Sequence, residues 1–217
     1  MRLRAEEARV LGTLVEKQFT TPQQYPLTLT ALVAACNQTT NRDPVVVYDE
    51  TTVLAAIDDL KRQRLARAVL PSHGRSVVRY RHVLDETLAL DRRQCALVAV
   101  LLLRGPQTLG ELRIRTDRMA DFDGLEGVMS ELGSLASREE GLASNLGRGP
   151  GQKEERWSCP LVGPVAGIDL PSAAEGPEQA DGVEAVPLDV GTALAILRSE
   201  VSELRDELRA LQERLGD

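Results

Sequence analysis

Apolar side chains recur at helical spacing near the start of the chain. Ala8, Val10, Leu11, Leu14 and Val15 mark one face of a helix that should stop before Thr20, Thr21 and Pro22. Residues 27–36 are short, apolar and Ala-rich, and predict a second helix. A polar loop over 37–44 follows, then a β-prone triplet at 45–47. Asp49 is an N-cap candidate for a third helix that places Val53, Leu54, Ile57, Leu60 and Leu65 on one side. Two strand-like runs, 66–70 and 77–83, then flank a turn at 72–75.

The same succession begins again at Asp91. Cys95, Leu97, Val98, Leu101 and Leu102 predict a helix stopped by Gly105 and Pro106. Thr108 and Glu111 have capping-box spacing and open a second helix. Asp123 and Glu126 repeat that spacing before a third helix, whose expected core face is Leu125, Val128, Met129, Leu132 and Leu135. Residues 142–146 and 155–159 read as a hairpin around a glycine-rich, basic tip.

Three helices followed by a hairpin with a basic tip describe a winged helix-turn-helix, and here the pattern occurs twice. The expected class is mainly α with small β-hairpins (α+β). The boundaries fall at 1–87 for the first winged-helix domain and 88–163 for the second. Each copy is small enough that its core alone is marginal, so the two should support one another.

The character of the chain changes after residue 163. Residues 164–187 are Pro, Gly, Ala, Glu and Asp with few large apolar groups, a composition expected of a flexible acidic linker. Residues 188–217 carry a heptad: Val190, Leu197, Leu204 and Leu211 at d, with Leu194, Val201, Leu208 and Leu215 at a. Glu200 at g and Arg205 at the following e suit an ion pair between parallel strands. This segment predicts a coiled-coil helix and a homo-oligomer. An amphipathic helix folded back on its own wings is the alternative.

Composition narrows the functional classes. The chain is 42% hydrophobic and 3% aromatic, which points to aliphatic cores. No apolar run approaches the roughly 18–20 residues of a membrane span. Nor does the N-terminus resemble a signal peptide. A cytoplasmic protein without a membrane partner is expected. Cys36, Cys95 and Cys159 are widely spaced, and with only His73 and His82 they offer no converging metal set. Buried or half-buried thiols are the expectation, with no metal and no cofactor.

The charge is uneven. Residues 1–90 carry 12 Lys/Arg against 10 Asp/Glu, 91–160 carry 10 against 11, and 161–217 carry 4 against 12. The net charge of −7 therefore belongs to the tail. The glycines at 147–151 lack both the dinucleotide and the P-loop spacing. His73 and His82 sit beside or within wing strands, and a catalytic triad would need an exposed His with an orienting partner. Asp58 with Asp59, and Glu139 with Glu140, read as solvated carboxylates. A non-enzymatic protein is expected.

Several blocks resemble one known family. Leu14 to Gln18, Thr20 to Leu27, Ala35 to Gln38 and Asn41 to Val45 are similar to the bacterial YceH family. Leu101 to Thr108, Gly110 to Arg113, Arg118 with Met119, and Gly149 to Lys153 near Arg156 resemble its second half and last wing. The resemblance runs from about residue 6 to 163 and implies a tandem winged-helix fold; it implies no activity.

Fold analogy favours duplex DNA, because winged helices commonly lay their third helix in the major groove. The two third helices suit that poorly. The first should expose Thr52, Ala55, Ala56, Asp58, Asp59, Lys61 and Arg62, and the second Glu126, Gly127, Ser130, Glu131 and Ser134. Guanine readers are missing from the second face. Basic residues gather elsewhere: Arg62, Arg64, Arg67, Arg75, Arg79 and Arg81 near the first wing, Arg113, Arg115 and Arg118 after the second copy's middle helix, and Arg148, Lys153 and Arg156 on its wing. They suit backbone contacts that position a duplex without reading it, in a transcription-related role. The alternative is a protein–protein interaction scaffold that self-associates through 188–217.

Overall fold

The computed structural model describes residues 2–70 and 77–163. The expected turn at 72–75 with Arg75, the linker at 164–187 and the heptad seam from Val190 to Leu215 lie outside the described residues.

The first half runs α1 (Ala5–Thr20), a 3-10 turn (Pro22–Gln24), β1 (Leu27–Thr28), α2 (Leu29–Cys36), α3 (Glu50–Arg62), β2 (Ala66–Val69) and β3 (Arg79–His82). β3 lies between β1 and β2 in an antiparallel sheet, so that Tyr80 faces Leu27 on one side and Ala68 on the other. A short helix, α4 (Leu84–Leu88), leads into the second half: α5 (Arg92–Arg104), α6 (Leu109–Thr116), α7 (Gly124–Ala136), β4 (Ser144–Asn145) and β5 (Trp157–Ser158). Both halves thus wind a helical trio and an antiparallel ribbon in one order, an α+β architecture of winged helix-turn-helix form.

The repetition reaches individual residues. In the first half Pro26 precedes Leu27, which pairs with Tyr80, and Thr28, which caps α2 by accepting from the Ala31 amide at 3.3 Å. In the second, Pro106 precedes Gln107, which bridges to Trp157, and Thr108, which caps α6 by accepting from the Glu111 amide at 3.2 Å. Arg79 donates to the Pro26 carbonyl at 2.9 Å, and Arg156 to the Pro106 carbonyl at 3.0 Å. Residues 27–36 are therefore not helical throughout. Their first two residues are an edge strand that ends at the helix N-cap, where Thr serves both elements.

Local chemistry sets most helix starts. Asp49 accepts from Thr52 N at 2.7 Å, and Asp91 closes a capping box with Gln94. Asp123 does not cap α7: its side chain makes no cap bond and meets Arg93 at 3.5 Å, while Gly124 takes a φ of +69°. The triplet at 45–47 forms no strand, and Val47 stands 93% exposed in the loop.

The core is centred on α1 and α5. Every residue of α1 from Glu7 to Glu16 is buried, as is every residue of α5 from Cys95 to Leu103. Helices enclosed on all sides sit inside a fold, with other elements packed around them. α1 packs against α2, α3 and β3 of the first half and against α5 of the second. The α1–α5 approach depends on Gly12, where a Cβ would lie 2.9 Å from Leu103 Cγ and 3.1 Å from Leu102 Cβ. The two ends of the described chain are tied as well: the Leu3 amide donates to the Leu161 carbonyl at 2.6 Å. One apolar core runs through both halves.

Two core assignments change. On α3, Ala56 is buried and Leu54 is 39% exposed. On α7, only Val128, Leu132 and Leu135 are buried, while Leu125 and Met129 are about half exposed, at 51% and 52%. A three-turn helix in a small unit covers one narrow arc, and both side chains fall on its flank.

All three cysteines are buried and unpaired with one another. Burial pushes the thiols up, to about 11 for Cys36 and about 12 for Cys95 and Cys159, which holds them in the unreactive thiol form.

Candidate nucleic-acid interface

The basic residues divide by what meets their charge. Arg62 closes on Asp59, which also takes Arg4 from across the fold. Asp58 meets Lys61 at 3.0 Å, so neither carboxylate of this pair is simply solvated. Arg113 pairs with Asp117 at 3.3 Å. Glu111 is shared by Arg115 at 3.3 Å and Arg156 at 3.1 Å. These five arginines spend part of their charge inside the protein.

The first wing is different. Arg67 on β2 and Arg81 on β3 share a single carboxylate, Glu86. Arg79 is exposed, and a neutral carbonyl meets its guanidinium. Arg64 is also exposed, at the α3–β2 junction, in a left-handed conformation with φ of 58°. Four guanidiniums thus have one carboxylate partner among the described residues. On the second wing, Arg148 and Lys153 are exposed without an ion-pair partner among the described residues, but Glu154 and Glu155 adjoin Lys153. That wing is close to neutral.

The helix faces do not resemble readers of bases. α3 exposes Glu50, Thr51, Leu54, Ala55, Lys61 and Arg62, with Asp58 and Asp59 half-buried. α7 exposes Leu125, Glu126, Met129 and Ser130, with no cation among its residues. Ile114 on α6 is 76% exposed.

Two groups were not singled out by sequence. Arg42 is buried in the loop between α2 and α3, clamped on both oxygens of Glu16 at 2.7 and 3.2 Å and on the Ala35 carbonyl at 3.0 Å. Arg104, at the end of α5, donates to Asn41 Oδ1 at 2.9 Å. Its neighbours Arg115 and Arg118 come from the second half and Asn41 from the first, so this cluster exists only once the halves pack.

His82 ends the wing strand β3 and is fully buried. Its Nδ1 accepts from the Leu84 amide at 3.3 Å and lies 3.5 Å from Asp85. Burial outweighs the pull of Asp85 and lowers its pKa to about 4, so the ring is neutral at pH 7. Nε2 meets no polar partner among the described residues. His73 lies outside the described residues. Among the described residues no three His, Cys, Asp or Glu side chains gather as a metal site, and no helix is long and apolar enough to cross a membrane.

A family model described as "Protein of unknown function, DUF480" matches residues 3–152. A UPF0502 protein of Pelobacter propionicus is 45% identical over 217 residues, all of this chain and 96% of the relative. One from Geotalea uraniireducens is 49% identical over 163 residues, 75% of this chain and 74% of the relative. The UPF0502 protein YceH of Salmonella paratyphi C is 41% identical over 220 residues, covering 99% and 98%.

Proposed function

The chain belongs to the YceH family of UPF0502/DUF480 proteins, and from that footing we propose that it is a non-enzymatic winged-helix protein that binds duplex DNA through backbone contacts. One observation carries the reading: the first wing presents Arg64, Arg67, Arg79 and Arg81 with Glu86 as their single carboxylate partner among the described residues. A phosphate backbone is the partner that such an excess of guanidinium suits, because each neutralised phosphate releases a condensed counterion. The helix faces argue against base readout, since α7 offers no cation and α3 carries Asp58 and Asp59 near its middle. Binding is therefore anchored by the first wing and largely independent of sequence.

Fluorescence anisotropy with labelled duplexes over a range of salt tests this. The wild type should bind unrelated duplexes alike, with an affinity that falls steeply as salt rises. Arg64→Glu combined with Arg79→Glu should flatten the log–log salt slope by about 2 and weaken binding by roughly tenfold or more. The absence of binding by micromolar wild-type protein at low salt would overturn the reading.

A second reading, an interaction scaffold, draws on the half-exposed Leu125 and Met129 and on Ile114, apolar groups at the surface of α6 and α7. It predicts that Leu125→Asp with Met129→Asp releases a co-purifying protein and leaves duplex affinity unchanged.

A further inference from the structure

At the seam of the two halves, the ends of α1, α5 and α6 line a shallow, open-mouthed cleft whose enclosed part, about 20 Å³, has room for about one water. Its polar walls are Glu16, Thr20, Asn41, Arg104, Arg115 and Arg118, above apolar side chains of α5. Two of the nearby carboxylates are already committed, while Asp43 acts on Arg104 only at longer range. Glu16 is spent on Arg42 at 2.7 Å, and Glu111 holds both Arg115 and Arg156. The Thr20 hydroxyl donates to the Glu16 carbonyl at 2.9 Å. Arg104 is held by the neutral Asn41 side chain, and neither Arg104 nor Arg118 has an ion-pair partner among the described residues.

The guanidiniums of Arg104 and Arg115 repel one another. Burial first, and then the charge of Arg115, draws Arg104 below the usual arginine pKa. An anion seated between the three would relieve both costs. The planar forks of guanidinium match tetrahedral oxyanions through paired N–H···O bonds. We propose that the open mouth of this cleft binds a phosphoryl oxyanion against Arg104, Arg115 and Arg118. The three arginines belong to the second half, and Thr20 and Asn41 of the first half form the facing wall. A free phosphate compound and a DNA backbone phosphate share the required chemistry. The proposal does not rest on duplex binding.

The full-length protein is heated in inorganic phosphate and in chloride of equal ionic strength, beside Arg104→Gln and Arg118→Gln. Arg118 is exposed, so its variant keeps the fold even if Arg104→Gln does not. The wild type should gain roughly 3 °C in Tm at phosphate ten times its Kd, a gain that Arg118→Gln loses. No gain over chloride at millimolar phosphate, or an equal gain in Arg118→Gln, would overturn the site. Duplex affinity of Arg118→Gln then separates the sources. Weakened duplex binding, with phosphate competing, assigns the cleft to backbone phosphate; unchanged affinity assigns it to a free phosphate compound. Failure of the wild type to bind duplex leaves the thermal result standing and removes only the preceding reading.

Discussion

Arg42→Met is expected to destabilise the protein by about 3–5 kcal/mol, the loss typical of breaking one side of a buried ion pair. Arg42 has no exposed side-chain surface, and its guanidinium reaches both oxygens of Glu16 together with the carbonyls of Ala35 and Asn41. It joins α1 to the end of α2 and to its own loop. Without it the Glu16 carboxylate, 9% exposed, keeps only Lys17 at 3.8 Å among the described residues. The desolvation cost of that charge then goes uncompensated, and the loop that leads to Asn41 and the seam cleft loses its anchor. Removing both charges should hurt less than removing one, so Glu16→Met with Arg42→Met is expected to recover part of the stability. Urea denaturation of the three variants measures both quantities. A single-variant loss below about 1 kcal/mol would show that the pair is not holding the loop.

Gly12→Leu is expected to cost about 3 kcal/mol or more, beyond the usual range for one overpacked position. Most added methylenes find some play among flexible neighbours. At Gly12 the first carbon already meets Leu103 Cγ and Leu102 Cβ inside normal contact distance, and both belong to a helix buried on every side. The accommodation available is to move α1 away from α5. That opens the core shared by the halves and displaces Arg104 from Asn41. Gly12→Ala should show the same direction with a smaller loss. Thermal unfolding of the pair checks the order, and a Leu variant as stable as wild type would mean that the helices are not in close contact there.

What sequence conveyed and what it withheld follow from the range of each interaction. Asp49 and Thr108 were legible as caps because each bonds an amide three residues away. Asp123 has the same spacing yet does not cap, since a glycine in a left-handed conformation follows and Arg93 competes for its carboxylate. β1 was hidden because two strand residues run directly into a helix, and only the distant β3 reveals them. Leu125 and Met129 have the right period for the core and the wrong azimuth, which depends on where α5 and α6 lie. The arginines were legible as a basic set but not as two sets. Arg67 and Glu86 are 19 residues apart, Arg156 and Glu111 are 45 apart, and Arg4 and Asp59 are 55 apart, so folding alone decides which charges remain unspent. The seam cluster of Arg104, Arg115 and Asn41 is likewise invisible before the halves meet.

Both the stability predictions and the seam site depend on α1 and α5 forming one core. Unfolding followed by two probes measures this directly, because the chain places its reporters apart. The single tryptophan, Trp157, is on β5, whereas Tyr25, Tyr48 and Tyr80 all belong to the first half. Trp157 fluorescence and tyrosine absorbance should trace one superimposable urea transition with a common midpoint. Two separated transitions, with the tyrosines and Trp157 losing their native signals at different urea concentrations, would contradict it.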